Sequence, residues 1–312
     1  MKSILVIRYS ALGDVVLATS IIRGLRARYP GVRIEWLTNE GFVGLLEGVV
    51  DRVIGFSRTA RSLAVADVRG RFELCIDLQN KVWSRRVAHA AAPERRFFAK
   101  RDAWQALKSL VGRDTVLNGA HATALYAEAA GVDAAPIFLH DHQGARAAEL
   151  LAPGARWVAV APGASKENKR WPAERLAEVA RRLREDGFRV ALLGGPMDGE
   201  LLNIVRPHVD ADLSSESLPV LVSALKRVAL LIGNDSGLVH VAGAMGTPAV
   251  AIFGPTSVNR WGPQGKGVAV SLGLACAPCS NHGGAKCPLG HHDCLQKLDV
   301  ERVLGAARAL LR

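Results

Sequence analysis

Long apolar runs are missing from this 312-residue sequence. No stretch approaches the roughly 18 uninterrupted apolar residues that a membrane-spanning helix needs. The first four residues lead straight into an apolar strand pattern and lack the layout of a signal peptide. These absences predict a cytoplasmic protein. Because 49% of the residues are hydrophobic and the chain is too long for one typical core, we expect two domains of about 150 residues each.

Acidic and aromatic residues are also few. The 29 Asp and Glu residues stand against 40 Lys and Arg residues, which leaves a formal charge of +11, and aromatic residues make up 5%. The basic residues of the first half lack the interleaved aromatics of a base-stacking surface, which argues against a nucleic-acid partner. Their charge favours an anionic substrate or an anionic membrane surface, although solvated helix faces could account for many of them. They are Arg58, Arg61, Arg69, Arg71, Lys81, Arg85, Arg86, Arg95, Arg96, Lys100 and Arg101.

What the sequence does contain is an alternation of strand and helix patterns, and the alternation occurs twice. It predicts an α/β fold made of two doubly wound, Rossmann-like parallel sheets. The alternation of strand and helix patterns is interrupted between residues 133 and 156. We therefore predict domains at 1–150 and 151–312 that face each other across a cleft. The last helix can pack back on the first domain.

The segment Gly233–His240 is the most informative motif. It follows an apolar strand pattern at 228–232 and opens a helix with Asp, Ser and Gly. A strand that turns into a helix in this way aims free backbone N–H groups and the helix dipole at a ligand beyond the strand, which suits a phosphate. The alternative is a plain capped helix.

Other candidate residues follow neighbouring strands. In the loop 8–16, Asp14 places a carboxylate in the predicted cleft, although it could simply complement the dipole of the next helix. Residues 77–81, including Gln79, could orient an acceptor or simply start a helix.

Two loops of the second half carry groups that suit a nucleotide. In the loop 161–172, backbone N–H groups could wrap a diphosphate that Lys169 or Arg170 neutralises. After the Gly-Gly pair of the next loop, Asp198 and Glu200 could accept hydrogen bonds from ribose hydroxyls. Each loop alone is unspecific, since a Gly-Gly-Pro sequence is usually just a turn.

Four of the five cysteines lie within nineteen residues near the C-terminus, beside three histidines. Their types and a Cys-x-x-Cys pair are those of a structural zinc site, but the spacing is loose. A cluster of paired or free thiols is the alternative, and a cytosolic setting argues against stable disulfides. The four are Cys276, Cys279, Cys287 and Cys294.

Taken together, the order and spacing of these motifs resemble the heptosyltransferases of glycosyltransferase family nine, which build the inner core of lipopolysaccharide. The segments that carry the resemblance are Ser10–Val15, Lys169–Pro172, Asn234–His240 and Phe253–Thr256. The combination spans essentially the whole chain and is specific, whereas its individual pieces are not.

The resemblance implies a GT-B architecture and an inverting transfer of heptose. The donor, ADP-heptose, is then held mainly by the C-terminal domain, and a lipid-anchored acceptor, lipid A with Kdo, by the N-terminal one. By the same analogy Asp14 is the general base, Lys169 meets the diphosphate, and Asp198 or Glu200 binds the ribose. Asp235 and His240 lie at the donor.

The candidate residues thus form two sets. The acceptor set is Ser10, Gly13, Arg58, Arg61, Gln79, Arg95 and Arg96, and the donor set is Ser165, Lys169, Asp198, Glu200, Asp235, Ser236, Gly237, Leu238 and His240. Because a carboxylate beside a diphosphate is repelled, we expect Asp235 to contact the sugar or cap the helix.

Leaving-group charge can be stabilised by Lys169 and the helix start, so no cofactor or catalytic metal is expected. We expect the enzyme to work peripherally on the cytoplasmic face of the inner membrane. Two other functions stay open. One is transfer from another nucleotide sugar or to another acceptor, and the other is non-catalytic binding of a nucleotide or an anionic polymer.

Overall fold

A computed structural model describes residues 1–57, 61–99 and 119–312, with the side chains of residues 61–64 excluded. The chain forms two compact units, of which the first ends at His140 and the second runs from Asp141 to Arg312. The sequence placed the division ten residues later, at 150. The difference is due to one helix, Gly144–Leu150, which packs on a helix of the second unit and whose preceding residue Gln143 donates its N–H to Ser223 Oγ at 3.0 Å.

The first unit is built on a five-stranded parallel sheet with the strand order β3-β2-β1-β4-β5. Since β1 lies between β2 and β4, the chain reverses its winding direction there, and ligands of such sheets bind at the carboxyl ends of these central strands. The strands are β1 Ser3–Ile7, β2 Arg33–Asn39, β3 Arg52–Phe56, β4 Leu74–Asp77 and β5 Glu94–Phe97.

Helices flank this sheet. The helical segment after β1 is broken by a 3₁₀ turn at Thr19–Ile21, which is buried and in which Thr19 Oγ1 donates to Val16 O at 2.8 Å. The helices are α1 Leu12–Ala18, α2 Ile22–Arg28, α3 Val43–Leu46, α4 Arg61–Val68, α5 Val82–Ala91 and α6 Ala122–Ala130.

The second unit repeats the plan with six parallel strands in the order β11-β10-β9-β6-β7-β8. Here β6 and β9 meet at the reversal point. The strands are β6 Trp157–Ala161, β7 Arg189–Leu192, β8 Ala211–Asp212, β9 Leu230–Asn234, β10 Ala249–Ile252 and β11 Val268–Val270. The predicted fold class, α/β with two doubly wound Rossmann-like units, is confirmed.

The last helix packs within the second unit. Its apolar face, including Val303, Leu304 and Ala307, is fully buried in the core formed with the central strands, because these positions repeat at helical spacing. These contacts place the helix in the core of the second unit, and the contact predicted with the first domain stays a prediction. The helices are α7 Gly144–Leu150, α8 Ala173–Glu185, α9 Gly199–Val205, α10 Leu218–Leu225, α11 Gly237–Ala244, α12 Val258–Trp261, α13 Asp293–Gln296 and α14 Val300–Leu311.

None of the helices in the described part of the chain combines the length and the apolar character needed to span a bilayer.

Candidate functional site

Asp14 lies in the first turn of α1, directly after β1. Its Oδ1 accepts hydrogen bonds from Arg8 Nη2 and from Tyr126 Oη, both at 2.6 Å. Its Oδ2 accepts the backbone N–H of Ala11 at 3.3 Å, so the carboxylate also complements the helix start. The side chain is 15% exposed. The contact with the helix start is therefore observed, whereas the role of Asp14 as a base stays a prediction.

Arg8 connects the ends of the two central strands of the first sheet. It follows β1, and its Nη1 donates to Leu78 O, just after β4, at 2.7 Å. Burial lowers the pKa of the guanidinium, but Tyr126 and Asp14 raise it by more, so the pKa of Arg8 lies above its usual value. A permanently charged group therefore lies beside Asp14.

The loop after β4 is held by Asp77. Its Oδ1 accepts the backbone N–H groups of Gln79 and Asn80, at 3.0 and 2.8 Å, and its Oδ2 accepts the hydroxyl of Ser84 at 2.8 Å. Burial nevertheless raises the pKa of this carboxyl. Gln79 Oε1 in turn accepts the backbone N–H of Ser10 at 3.2 Å. Gln79 therefore positions the loop that precedes Asp14.

Of the four arginines assigned to the acceptor, the structure describes the side chains of two. Arg95 and Arg96 lie on β5, where Arg95 donates to Ala92 O at 2.9 Å. Arg96 donates to Ala130 O at the end of α6 and to Glu94. These are local bonds within the first unit. The side chains of Arg58 and Arg61 lie outside the described residues, and Gly13 is half-buried in the first turn of α1.

In the second unit, Asn234 joins the carboxyl ends of β6 and β9. Its Nδ2 donates to Pro162 O at 2.6 Å, and its Oδ1 accepts the backbone N–H of Trp171 at 3.0 Å. This buried amide fixes the loop that carries Lys169 against the strand that carries Asp235. Asn234 lies within the sequence motif 234–240, where no local pattern indicates this role.

Lys169 and Asp235 form a buried ion pair. Lys169 Nζ lies 2.8 Å from Asp235 Oδ2, and their side chains are only 10% and 5% exposed. Thr256 Oγ1 donates to the same oxygen at 2.6 Å. The expectation that Asp235 caps α11 is wrong, because Ser236 takes the N-cap position and Asp235 is already bonded to a cation and a hydroxyl.

The start of α11 is the other polar element here. Ser236, Gly237 and Leu238 are half-buried, while His240 lies further along the helix and is buried. The first N–H groups of a helix lack partners within it, so this end carries partial positive charge. Lys169, whose charge Asp235 offsets, follows β6 at the same edge of the sheet.

Asp198 follows β7 and reaches the turn after β6. A Cβ atom on Gly163 would lie only 2.4 Å from Asp198 Oδ2, so only glycine leaves room for this carboxylate. Asp198 Oδ2 also accepts the N–H of Gly195 at 3.1 Å. Ser165 is exposed on the loop after β6, and Glu200 is exposed in the first turn of α9, which follows β7.

The cysteine-rich loop packs against the segment that carries Lys169. Asn168 Oδ1 accepts the N–H of Gly284 at 2.8 Å, and the ring of His292 hydrogen-bonds to Asn168 O at 2.8 Å. Gly283 lies directly against the methylenes of Lys169. The loop thus supports one wall of the candidate donor site.

A structural zinc site was one of two interpretations of the cysteine cluster. None of the five cysteines forms a disulfide, and no three Cys, His, Asp or Glu side chains of the described ranges are arranged to hold a metal ion. Burial, together with the neighbouring thiols, raises the pKa of Cys294 to about 11. The four thiols lie near one another without forming a ligand set.

Comparison with known proteins gives a consistent result. The lipooligosaccharide heptosyltransferase 2 of Campylobacter jejuni is 31% identical over 173 residues, which cover 52% of this chain and 53% of that protein. The match thus spans about half the length of that relative. The lipopolysaccharide heptosyltransferase 1 of Pseudomonas aeruginosa is 26% identical over 313 residues, covering 88% of this chain and 85% of that protein.

A solved structure shares the fold over its full length. The Escherichia coli ADP-heptose lipopolysaccharide heptosyltransferase II matches with a TM-score of 0.78 and 24% identity, covering 100% of this chain and 98% of that one. A sequence profile described as glycosyltransferase family 9 (heptosyltransferase) matches residues 61–289, well over half of the chain. The protein therefore belongs to glycosyltransferase family 9.

Proposed function

We propose that the protein is an inverting glycosyltransferase that transfers heptose from ADP-heptose to the inner core of nascent lipopolysaccharide, with Asp14 as the general base. The observation that carries this proposal is the carboxylate of Asp14, held at the carboxyl end of the first sheet by Arg8 and Tyr126. A protein that merely binds a nucleotide has no need of such a group. The names of the relatives, all heptosyltransferases, support the choice of sugar.

The second unit has the features of a site for the diphosphate of the donor. An ammonium carries three donors, so Lys169 can keep its bond to Asp235 while another N–H reaches a phosphate oxygen. The N-terminus of α11 adds backbone N–H groups. Asp198 or Glu200 is suited to the ribose hydroxyls, since both follow β7 beside the same edge.

Asp235 is assigned a role in orienting Lys169. Its charge is balanced by the ammonium and by the hydroxyl of Thr256, so the repulsion expected between a carboxylate and a diphosphate is reduced. A contact between Asp235 and the sugar remains part of the proposal.

The reaction then needs one proton transfer and one substitution. The acceptor hydroxyl gives its proton to Asp14 while its oxygen bonds to the anomeric carbon of the heptose. The bond between that carbon and the diphosphate oxygen breaks, and its electron pair stays on ADP. Attack opposite to the leaving group inverts the anomeric centre, and Lys169 with the α11 N-terminus stabilises the charge that develops on ADP.

These two sets of residues indicate which unit binds which substrate. We assign acceptor binding to the first unit and donor binding to the second. The acceptor is a lipopolysaccharide precursor, lipid A bearing Kdo. The net charge of +11 suits work at the anionic cytoplasmic face of the inner membrane, where the arginines of the first unit meet phosphates or sugar carboxylates.

Incubation with ADP-heptose and candidate core acceptors tests the proposal, with ADP release and product mass as readouts. We expect ADP release only when a suitable acceptor is present, and a product heavier by one heptose. Release from a different nucleotide sugar alone would assign another donor. Binding of ADP without turnover from any nucleotide sugar would instead indicate a non-catalytic binding protein.

A further inference from the structure

Tyr126 brings a second chain segment to the candidate base. It lies on α6, 112 residues from Asp14, and only 1% of its surface is exposed. Its hydroxyl donates to Asp14 Oδ1 at 2.6 Å, and its ring lies 5.4 Å from the guanidinium carbon of Arg8. Arg8 donates to the same oxygen. We call Arg8, Asp14 and Tyr126 the Asp14 triad.

Burial disfavours the ionised form that a base needs, and the two hydrogen-bond donors on Asp14 offset this effect. A carboxylate largely withdrawn from water favours its protonated form, and a protonated carboxyl cannot accept the acceptor's proton. An opposite charge and a hydrogen bond to the anion both favour the ionised form. Two donors on one oxygen also fix the plane of the carboxylate, which matters because general-base catalysis requires hydrogen-bond geometry to the reacting hydroxyl.

We propose that Tyr126 and Arg8 are positioning residues for Asp14: they hold its carboxylate in one orientation and keep it ionised for proton abstraction. This inference rests on the proposed role of Asp14 as the base. Arg8 itself is fixed by its bond to Leu78 O, which anchors the triad to the end of β4. The ionisable groups that act on Arg8 are Tyr126, Asp14 and, at the end of β4, Asp77.

The packing of Tyr126 shows why its hydroxyl can be tested alone. Its ring contacts the ring of Phe98, with centroids 5.2 Å apart, besides lying beside Arg8. Tyr126→Phe keeps both ring contacts and removes the hydroxyl. The matched control is Tyr29→Phe, which removes a hydroxyl bonded to a guanidinium, that of Arg96 at 3.3 Å, elsewhere in the same unit.

The test is the pH dependence of kcat in both variants. A hydrogen bond to a charged group contributes about 1.5–3 kcal/mol, part of which Arg8 retains. We therefore expect Tyr126→Phe to lower kcat about 3- to 30-fold and to move the acid limb of the profile upward by about one pH unit. KM and the Kd for ADP should stay within about twofold, and Tyr29→Phe should match the parent.

Three results distinguish the positioning role of Tyr126 and Arg8 from the proposed role of Asp14 as the base. An unmoved acid limb in Tyr126→Phe, with Asp14→Asn inactive, would overturn the positioning role alone. Turnover by Asp14→Asn would overturn both. If Tyr126→Phe fails to fold, Arg8→Lys replaces it: this change keeps the charge but loses the planar donor group, so kcat should fall at unchanged KM. An unchanged kcat would then contradict the proposal.

Discussion

The buried ion pair of Lys169 and Asp235 has consequences for how the site binds its ligand. Removing two charges from water is costly, and only good geometry with further hydrogen bonds offsets that cost. Here Thr256 supplies such a bond to Asp235. The pair therefore presents a cation whose position is already fixed before any phosphate arrives, which reduces the entropy lost on binding.

Replacement of Lys169 should weaken nucleotide binding. We expect Lys169→Met to raise the Kd for ADP about 10- to 100-fold, because a charge-assisted hydrogen bond contributes about 1.5–3 kcal/mol. Isothermal titration calorimetry measures this directly. Lys166→Met, an exposed lysine of the same loop, is the control and should change the Kd less than about twofold.

Because Lys169→Met leaves Asp235 unpaired and buried, the double variant Lys169→Met/Asp235→Asn separates loss of binding from loss of folding. It should recover thermal stability but not ADP affinity. If the lysine variants at 169 and 166 bound ADP equally well, the assignment of the diphosphate to Lys169 would be wrong.

Asp77 predicts a pH dependence of stability. Since burial raises its pKa in the folded chain, its contribution is fully present below the unfolded pKa of about 3.9 and is lost as the pH rises through the folded value. Asp77→Asn removes this titration and keeps an oxygen for the N–H groups of Gln79 and Asn80. The Tm of the variant relative to the parent should therefore increase from pH 4 to pH 8.

Thermal scans across that range provide the measurement. A difference in Tm that stays constant with pH would show that Asp77 does not titrate as its burial implies.

The residues that sequence could identify are those inside contiguous motifs. Asp14, Lys169 and Asp235 were found because each stands next to glycine or a helix start after a strand. Tyr126 was missed and Thr256, though part of a quoted segment, was given no role, since nothing local marks a residue whose partner lies 112 or 21 positions away. Lys169 and Asp235 were both found but their pairing was not, because it depends on how two loops pack.

At the scale of elements, the cysteine-rich loop supports the loop that carries Lys169. Gly283 has a φ of +79°, and a Cβ on it would lie 2.7 Å from Lys169 Cδ. Gly290, in the same loop, has the same φ of +79° but no atom within 4 Å of such a Cβ. The two glycines therefore differ in their contact and not in their backbone conformation.

This pair gives a matched test. Each Ala substitution places a side chain in the left-handed region and should cost about 1–2 kcal/mol of stability. Only Gly283→Ala must also displace Lys169, so we expect its Kd for ADP to rise several-fold while that of Gly290→Ala stays near the parent value. Calorimetric titration of both variants, with thermal melting alongside, separates the two effects. Equal Kd values would contradict a supporting role for the loop.

Sequence patterns predicted the central elements better than the edges. The buried strands are apolar runs, but β5 at Glu94–Phe97 is an edge strand with three charged residues, and β11 at Val268–Val270 has only three residues. Neither has the apolar run of a buried central strand, because edge strands need not be apolar on both faces. The break at Thr19 has no local sequence signal either, since it depends on buried contacts rather than on a helix-breaking residue.

At the scale of the whole molecule, charge is the property that sequence fixes most directly. The excess of eleven basic residues predicts attraction to anionic lipid, and such attraction is screened by salt. We expect the protein to sediment with vesicles that contain phosphatidylglycerol at about 0.05 M salt and to be released at about 0.5 M. Equal sedimentation with neutral vesicles, or binding that salt does not change, would contradict a role for charge at the membrane.

The fold class followed from the doubled strand and helix alternation, but the position of the domain boundary did not. Helix α7 has no sequence feature that assigns it to one unit, and only its packing on α10 places it in the second. The same holds for α14, whose apolar face fits any sheet and was predicted on the first domain. Sequence periodicity specifies which face is buried, whereas the partner of that face is a property of the tertiary structure.

The central claim is that Asp14 is the base of a sugar-transfer reaction, and Asp14→Asn tests it most directly. The asparagine keeps the size of the side chain and an oxygen for Arg8 and Tyr126 but cannot take up the acceptor's proton. With ADP-heptose and a Kdo-bearing acceptor, we expect turnover to fall at least about 1,000-fold while the Kd for ADP changes less than about threefold. Turnover within about tenfold of the parent enzyme would contradict the claim.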